Sequence, residues 1–218
     1  MACFGWAGAG AGQFRQWRSW LPDEVDLMAA RLPGREDRLR EHSYSAMEPL
    51  VHALADDFEA RTDFVFFGHC MGAVVAYELA HALRRRGERL PAALFVSSAA
   101  PGRVAADPPG TDIRAELRGV GMVPEEVLDD PVLFEMLRPA VAADFGVVAG
   151  YRHVRREALP IPVVAFRAQD DDTDMAGWAA ETAAGFEAAV LPGTNLFPIG
   201  TWQGLASAVA ERGMAAVP

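Results

Sequence analysis

The segment FFGHCMG, residues 66–72, places a cysteine between two glycines in the pattern G-x-C-x-G. With serine at the centre, this pattern marks a nucleophile elbow, a sharp strand-to-helix turn that presents a reactive side chain. Cys70 is therefore a candidate nucleophile. We expect its thiolate to be favoured, because the first backbone N–H groups of a helix point towards it. The alternative is a buried, inert cysteine, which is common among free thiols.

A second candidate element is the glycine-rich segment CFGWAGAGAGQF, residues 3–14. Beside a nucleophile elbow, such a loop supplies one backbone N–H to an oxyanion hole, and the residue after the nucleophile supplies the other. The predicted donors are the N–H of Met71 and one from about Trp6 or Ala7. A Walker nucleotide loop is excluded because no G-K-[ST] follows. The glycines at 8, 10 and 12 also lack the spacing of a dinucleotide-binding fingerprint.

The elements that must position these residues follow from the hydrophobic pattern. Short apolar runs alternate with helical patterns, which predicts an α/β fold with a mainly parallel sheet covered by helices on both faces. The predicted strands cover residues 1–5, 25–32, 63–67, 92–97, 161–167 and 186–191. Helical spacing predicts a helix over 71–86, ended by Gly87, and a closing helix around Leu205 and Val209.

The region of about 103–158 breaks this alternation, because two helical patterns follow one another without a strand between them. An insertion of that size between strands is expected to lie over the open end of the sheet as a lid. The chain has 218 residues and 51% hydrophobic content, which predicts a single domain over 1–218 with a lid insertion.

Composition also excludes several classes of function. The net charge of −10 argues against nucleic-acid binding, which needs a basic surface. No run of eighteen apolar residues is present, so no membrane span is expected, and the start of the chain shows no secretion signal. Cys3 and Cys70 lie in different contexts. We therefore expect no structural disulfide and a reducing, cytoplasmic compartment.

Four segments together resemble the type II thioesterases: CFGWAGAGAGQFRQW, ARLPGREDRL, FFGHCMGAVVAYELAHALRRRG and ALFVSSAAP. The resemblance covers residues 1 to about 101 and resumes over about 151–202. These discrete α/β hydrolases work beside polyketide and nonribosomal peptide assembly lines. The resemblance implies an α/β-hydrolase fold and a Ser-Asp-His triad that removes acyl or aminoacyl groups from carrier proteins. It implies no metal and no cofactor, since the substrate is carried on the phosphopantetheine arm of the partner.

Carried over by position, the resemblance makes Cys70 the nucleophile in place of serine. The acid is expected in FRAQDDDTD, where Asp171 fits the family's G-x-x-D spacing best and Asp170 and Asp172 remain alternatives. A triple aspartate after a strand is equally typical of a solvated turn. The base is expected in LPGTNLFP, where Asn195 stands at the histidine position. The histidine of the triad is therefore missing.

Other histidines are weak substitutes for this base. His69 lies inside the elbow, where the family also has histidine, and we expect it to pack rather than react. His153, at the end of the lid, is the one plausible donor from outside the triad positions. The remaining three are expected on solvated loop or helix faces: His42, His52 and His81.

These departures bear on the chemistry. A cysteine can capture an acyl thioester without a base, whereas water must be activated and asparagine cannot titrate. The leading hypothesis is acyl transfer through a Cys70 thioester. The alternatives are a slow editing thioesterase, or a non-covalent isomerase, cyclase or carrier-binding protein.

The resemblance also implies an acyl or peptidyl carrier protein as partner, and we expect a monomer. Because carriers are generally acidic, docking needs a local basic surface. Two clusters qualify: Arg152, Arg155 and Arg156 at the end of the lid, and Arg84, Arg85, Arg86 and Arg89. We prefer the cluster at the end of the lid, because arginines at the end of a helix are already accounted for by the helix dipole.

Overall fold

A six-stranded parallel sheet organises the protein. The computed structural model describes residues 1–60, 62–104, 112–121, 123–194, 197 and 202–217. The strands in these ranges are β1 (Ala2–Phe4), β2 (Met28–Ala29), β3 (Phe66–His69), β4 (Leu94–Ser97), β5 (Ala99–Ala100), β6 (Arg103–Val104), β7 (Val163–Ala168) and β8 (Phe186–Leu191). The main sheet has the order β2-β1-β3-β4-β7-β8, and every pairing in it is parallel. The predicted parallel sheet is confirmed.

The helices in the described ranges are α1 (Met47–Asp57), α2 (Met71–Arg86), α3 (Ile113–Val120), α4 (Glu125–Asp129), α5 (Pro131–Gly150) and α6 (Gln203–Ala216). Three 3₁₀ helices cover Ala11–Ser19, Glu36–Arg38 and Ala176–Glu181. Helix α2 has the predicted bounds and ends at Gly87, whose φ of 69° suits a glycine. Helix α6 is the predicted closing helix. Helix α1 and the short antiparallel pair β5–β6 were not predicted.

Of the six predicted strands, two differ most from their predicted bounds. The run 25–32 contributes only β2, two residues long, because this edge strand pairs with β1 alone and its chain turns away on both sides. Strand β3 begins three residues later than predicted and continues through Gly68 and His69. The first half of the G-x-C-x-G motif therefore belongs to the strand itself.

In its described residues, the insertion between β6 and β7 holds three helices, α3, α4 and α5, where two were predicted. The boundary between α4 and α5 lies at Asp130. Its side chain accepts the N–H groups of Val132 and Leu133 at 2.8 and 3.1 Å, and Pro131 occupies the first helical position. An N-cap followed by proline starts a new helix, so α4 stops where α5 begins. Of the helices described here, each is too short or too polar to span a lipid bilayer.

The core lies on both faces of the central strands, where β3 and β4 are buried at every residue. Helix α2 covers one face and is itself buried along most of its length. Parallel strands that are covered on both faces are expected to be apolar throughout, as these are. This arrangement places Cys70, between β3 and α2, at the carboxyl end of the sheet.

Two glycines make the turn between β3 and α2 possible. A Cβ atom on Gly72 would lie 2.1 Å from the carbonyl oxygen of Phe4, and one on Gly68 would lie 2.2 Å from the carbonyl oxygen of Gly72. Backbone meets backbone at both positions, so no side-chain movement can relieve the contact. The first turn of α2 therefore packs directly against the end of β1.

We predict that Gly72→Ala destabilises the protein by about 3 kcal/mol, the upper end of the cost of overpacking. The matched control is Gly119→Ala in α3, where an added Cβ meets nothing within 4 Å. That change is expected to stabilise the protein by about 0.5 kcal/mol, because alanine is the better helix former. Urea unfolding of both variants gives the comparison. Equal stabilities of Gly72→Ala and the wild type would contradict the close packing of α2 on β1.

Candidate active site

Cys70 occupies the turn predicted for it. Its backbone has φ 54° and ψ −117°, and its N–H donates to the carbonyl oxygen of Ser97 at 2.8 Å. A positive φ at a residue other than glycine costs about 1–3 kcal/mol and persists only where the surroundings impose it. Here the hydrogen bond to Ser97 and the packing of Gly72 impose it. The strain is typical of a nucleophile elbow, which pushes its side chain out at the end of the sheet.

Burial controls the protonation of Cys70, which is 6% exposed. Desolvation raises the pKa of its thiol to about 11. The hydrogen bond that the sulfur accepts from the Met71 N–H has the opposite effect and lowers the pKa, but by less. The Asp171 carboxylate raises it further through electrostatic repulsion. The prediction that the helix N-terminus leaves Cys70 favoured as a thiolate is therefore wrong. One N–H donor does not offset the loss of water around the charged sulfur.

Burial also separates the three candidate acids. Asp171 is 2% exposed, whereas Asp170 and Asp172 are exposed. The Oδ1 atom of Asp171 accepts the N–H and the hydroxyl of Thr173, at 2.9 and 2.5 Å. In the described part of the chain, its Oδ2 atom is buried and has no hydrogen-bond partner. Of the three candidates, Asp171 is the buried one, and its charge raises the pKa of Cys70.

Asn195, placed by sequence at the position of the base, lies outside the described residues, so its role stays a prediction. The part of the site around His69 is aromatic. Trp202 packs against Trp6 and against the ring of His69, with centroids 5.2 Å apart in each pair. The Nδ1 atom of His69 lies 3.1 Å from the Ser97 hydroxyl oxygen. The His69 ring packs among these aromatic side chains, as expected.

The other histidines have different surroundings. His153 places Nε2 3.0 Å from the Glu181 carboxylate, to which the Tyr77 hydroxyl also donates a hydrogen bond. His81 was predicted to be solvated, which is wrong: it is 4% exposed and packs on the Tyr77 ring. Burial lowers the pKa of His81 to about 4, so it is neutral at pH 7. The remaining two are exposed as predicted: His42 and His52.

The two predicted oxyanion donors lie at the ends of adjacent strands. Met71 is the first residue of α2, so its N–H has no acceptor within the helix and points to the Cys70 sulfur. Ala7 follows β1 and is buried, and its N–H has no acceptor among the described residues. The next N–H groups of the loop are occupied, since Gly8 donates to Asp144 and Ala9 to the Trp6 carbonyl.

Three charged residues that support this loop were not recognised from sequence. Arg35 and Asp144 form a buried, bidentate ion pair with N–O distances of 2.6 and 2.8 Å. Glu36 accepts the N–H groups of Ala11 and Gly12 at 3.0 and 2.8 Å. A signal for Asp144 was available, because a single carboxylate in the apolar run AVAADFGVV must be paired if that helix is buried.

A groove of about 1000 Å³ lies at the opposite, amino end of the strands, lined by Met1, Phe64, Val65 and Met214 together with several acidic residues. Cys70 follows β3 at its carboxyl end, so this groove does not belong to the candidate site. The site is instead formed by the ends of β1, β3 and β7, where ligands of open parallel sheets bind.

Comparison with known proteins identifies the family of the chain. The model of the thioesterase domain family matches residues 1–212. The gramicidin S biosynthesis protein GrsT of Aneurinibacillus migulanus is 31% identical over 207 residues, which are 89% of this chain and 81% of that protein. Thioesterase PikA5 of Streptomyces venezuelae is 27% identical, over 97% of this chain and 80% of that protein.

Solved structures agree in fold. RedJ, a thioesterase from the prodiginine pathway of Streptomyces coelicolor, is 34% identical with a TM-score of 0.86, over 96% of this chain and 84% of that one. The type II thioesterase BorB from the borrelidin biosynthetic cluster is 28% identical with a TM-score of 0.83, over 97% of this chain and 91% of that one. The chain has the α/β-hydrolase fold and belongs to the thioesterase domain family, among the type II thioesterases of nonribosomal peptide and polyketide biosynthesis.

Proposed function

We propose that this protein transfers acyl groups between carrier-bound thioesters through a covalent Cys70 thioester, and that it hydrolyses them slowly. The observation that carries the proposal is a thiol on a strained turn, hydrogen-bonded to the Met71 N–H and close to the buried Asp171 carboxylate. His69 and His153 are engaged with Ser97 and Glu181 respectively. At the position of the base, the resemblance places Asn195, which cannot titrate.

The transfer step conserves protons. The Cys70 sulfur attacks the carbonyl carbon of the carrier thioester, and the resulting oxyanion accepts hydrogen bonds from the N–H groups of Met71 and Ala7. Collapse breaks the bond to the phosphopantetheine sulfur, which leaves as a thiol with the proton that Cys70 loses. A second thiol then reverses these steps and carries the acyl group away. One thioester replaces another, so no base is consumed.

Hydrolysis makes a greater demand, because water must lose a proton as it attacks the Cys70 thioester. A positioned general base contributes about 10²–10⁴-fold to such a step. The Asp171 Oδ2 atom, which has no partner among the described residues, is the acceptor that we propose for the side-chain amide of Asn195. An amide held in this way orients neighbouring groups but takes up no proton.

A slow editing thioesterase is the second candidate. It is favoured by the relatives, since RedJ and PikA5 are both named thioesterases. The two candidates share the Cys70 acyl-enzyme and differ in what discharges it, a thiol or water. Discharge rates therefore decide between them.

We further propose that an acyl or peptidyl carrier protein docks at the end of the lid. Arg156 is engaged there by Glu78, whereas Arg152 and Arg155 are exposed. In the other cluster, three of the four arginines are already paired with carboxylates: Arg84 with Glu157, Arg86 with Asp56 and Arg89 with Asp63. Arg152 and Arg155 pair with no carboxylate in the described part of the chain, and exposed arginines of this kind are better placed to attract an acidic partner.

The first prediction from this proposed function concerns the protonation of Cys70. With a pKa of about 11, the thiolate fraction at pH 7 is about 10⁻⁴, so alkylation by iodoacetamide is expected to accelerate about tenfold per pH unit from pH 7 to 10. A Cys3→Ala background removes the second thiol, and the same protein in guanidinium chloride gives the unperturbed profile. A rate that levels off below pH 8 would show that the folded protein stabilises the thiolate.

The second prediction concerns discharge of the acyl-enzyme. On one acyl-carrier substrate, a thiol acceptor is expected to discharge Cys70 much faster than water does. Cys70→Ala abolishes covalent labelling, and Cys70→Ser is nearly inactive because an alcohol without a base is a poor nucleophile. Asn195→His is expected to raise hydrolysis by about 10²–10⁴-fold.

The control for Asn195→His adds Asp171→Asn, which removes the carboxylate that orients the new imidazole and is expected to cancel the gain. Intact-mass spectrometry and a free-thiol assay measure both steps. Fast hydrolysis by the wild type, or a fully active Cys70→Ser, would contradict the transfer proposal and indicate a base elsewhere. His153 is then the first residue to test.

The third prediction concerns docking. Arg155→Glu is expected to raise KM for an acyl-carrier substrate by roughly tenfold, equivalent to about 1.4 kcal/mol. The KM for the same acyl group on free pantetheine should not change. Arg85→Glu, an exposed arginine of the other cluster, is the matched control. Equal effects of the two substitutions on the carrier substrate would contradict docking at the end of the lid.

A further inference from the structure

Helix α5 is joined to the segment after β2 by a buried ion pair between Asp144 and Arg35, and both residues hydrogen-bond to the loop after β1. Asp144, near the middle of α5, is 2% exposed, and Arg35, from the segment after β2, is 6% exposed. The Asp144 carboxylate accepts two hydrogen bonds from the Arg35 guanidinium and a third, of 2.7 Å, from the N–H of Gly8. Arg35 also donates to the Ala9 carbonyl at 3.0 Å. The two charged groups therefore hold two adjacent loop residues, Asp144 the N–H of Gly8 and Arg35 the carbonyl of Ala9.

Packing reinforces this connection at Gly8. Its φ is 86°, and an added Cβ would lie 2.8 Å from a methyl group of Val141, one turn before Asp144 on α5. The helix therefore touches the loop through an apolar contact and a charged one. On the far side of the loop, Glu36 holds the N–H groups of Ala11 and Gly12. Two carboxylates thus fix the backbone that follows Ala7.

Stability alone is a poor reason for burying such a pair. Removing two charges from water costs several kcal/mol per ion, and well-packed apolar residues of similar volume often serve as well. A charged pair differs in fixing geometry, because the planar guanidinium and the carboxylate meet in one orientation. That orientation is transmitted to the Gly8 peptide, directly next to the predicted oxyanion donor.

We propose that Asp144, held by Arg35, is a positioning residue for the acylation step. It fixes the Gly8 peptide and thereby aims the neighbouring Ala7 N–H at the oxyanion formed when Cys70 attacks a thioester. Because Asp144 belongs to α5, this helix must pack against the loop after β1 for the oxyanion hole to be complete. This inference rests on the proposed Cys70 chemistry, since it concerns the rate at which that thioester forms.

The test compares two reactions of the same thiol. Transfer of an acyl group from an acyl-pantetheine thioester to Cys70 passes through an oxyanion, whereas alkylation by iodoacetamide does not. In Asp144→Asn, single-turnover acylation is expected to fall about 100-fold, a loss typical of a misplaced catalytic group. Alkylation is expected to proceed at the wild-type rate. Arg35→Lys, which keeps the charge but loses the bidentate contact, should show the same split.

The matched control is Glu135→Gln, on the same helix, which breaks only the exposed pair with Arg138 and should change neither rate. Unchanged acylation in folded Asp144→Asn and Arg35→Lys would overturn the inference. An equal loss of acylation and alkylation would also overturn it, because a general disturbance of the fold then explains both. A wild type that is alkylated but never acylated would instead refute the proposed function itself, and the inference with it.

Discussion

The contact between the first turn of α2 and the end of β1 is the constraint on which the site depends. Gly72 lies so close to the Phe4 carbonyl that a Cβ would clash with backbone. This approach brings the N–H of Met71 next to the loop after β1, and it forces Cys70 into a backbone conformation with φ 54°. A single backbone contact thus places the proposed nucleophile and the proposed oxyanion donors. A larger residue at Gly68 or Gly72 would move the first turn of α2 away from the end of β1.

The same close packing determines the chemistry of the thiol. Because the turn is held tightly against its neighbours, little water reaches Cys70, and desolvation outweighs the N–H that would stabilise a thiolate. Only the thiolate fraction of Cys70 attacks a thioester, but the exchange of one thioester for another is neutral in protons, because the proton that Cys70 loses is regained by the leaving thiol. Hydrolysis needs a base to activate water, and the residue that we propose at the base position, Asn195, cannot titrate. The membership of a thioesterase family and the proposed preference for transfer are therefore compatible.

The segment inserted between β6 and β7 contacts the backbone beside Cys70. Helix α5 reaches the loop after β1 through Asp144, so a segment inserted between β6 and β7 helps to hold the backbone beside the nucleophile. Arg35 completes the arrangement from a third part of the chain. Segments that are distant in sequence therefore hold one loop in place. A substitution that breaks one of these contacts is expected to move the loop backbone next to Cys70.

The sequence by itself determined the parallel sheet, helix α2 with its Gly87 cap, and Cys70 at a strand-to-helix turn, because these depend on local periodicity and on glycine spacing. The break at Asp130 was also encoded locally, although we did not recognise it. Only the tertiary structure decided that Asp171 is buried beside Cys70 while Asp170 and Asp172 are exposed, that His81 is in the core, and that the Cys70 thiol keeps its proton. Burial and the pairing of Asp144 with Arg35 depend on which segments meet in space, and a pattern along the chain does not contain that information.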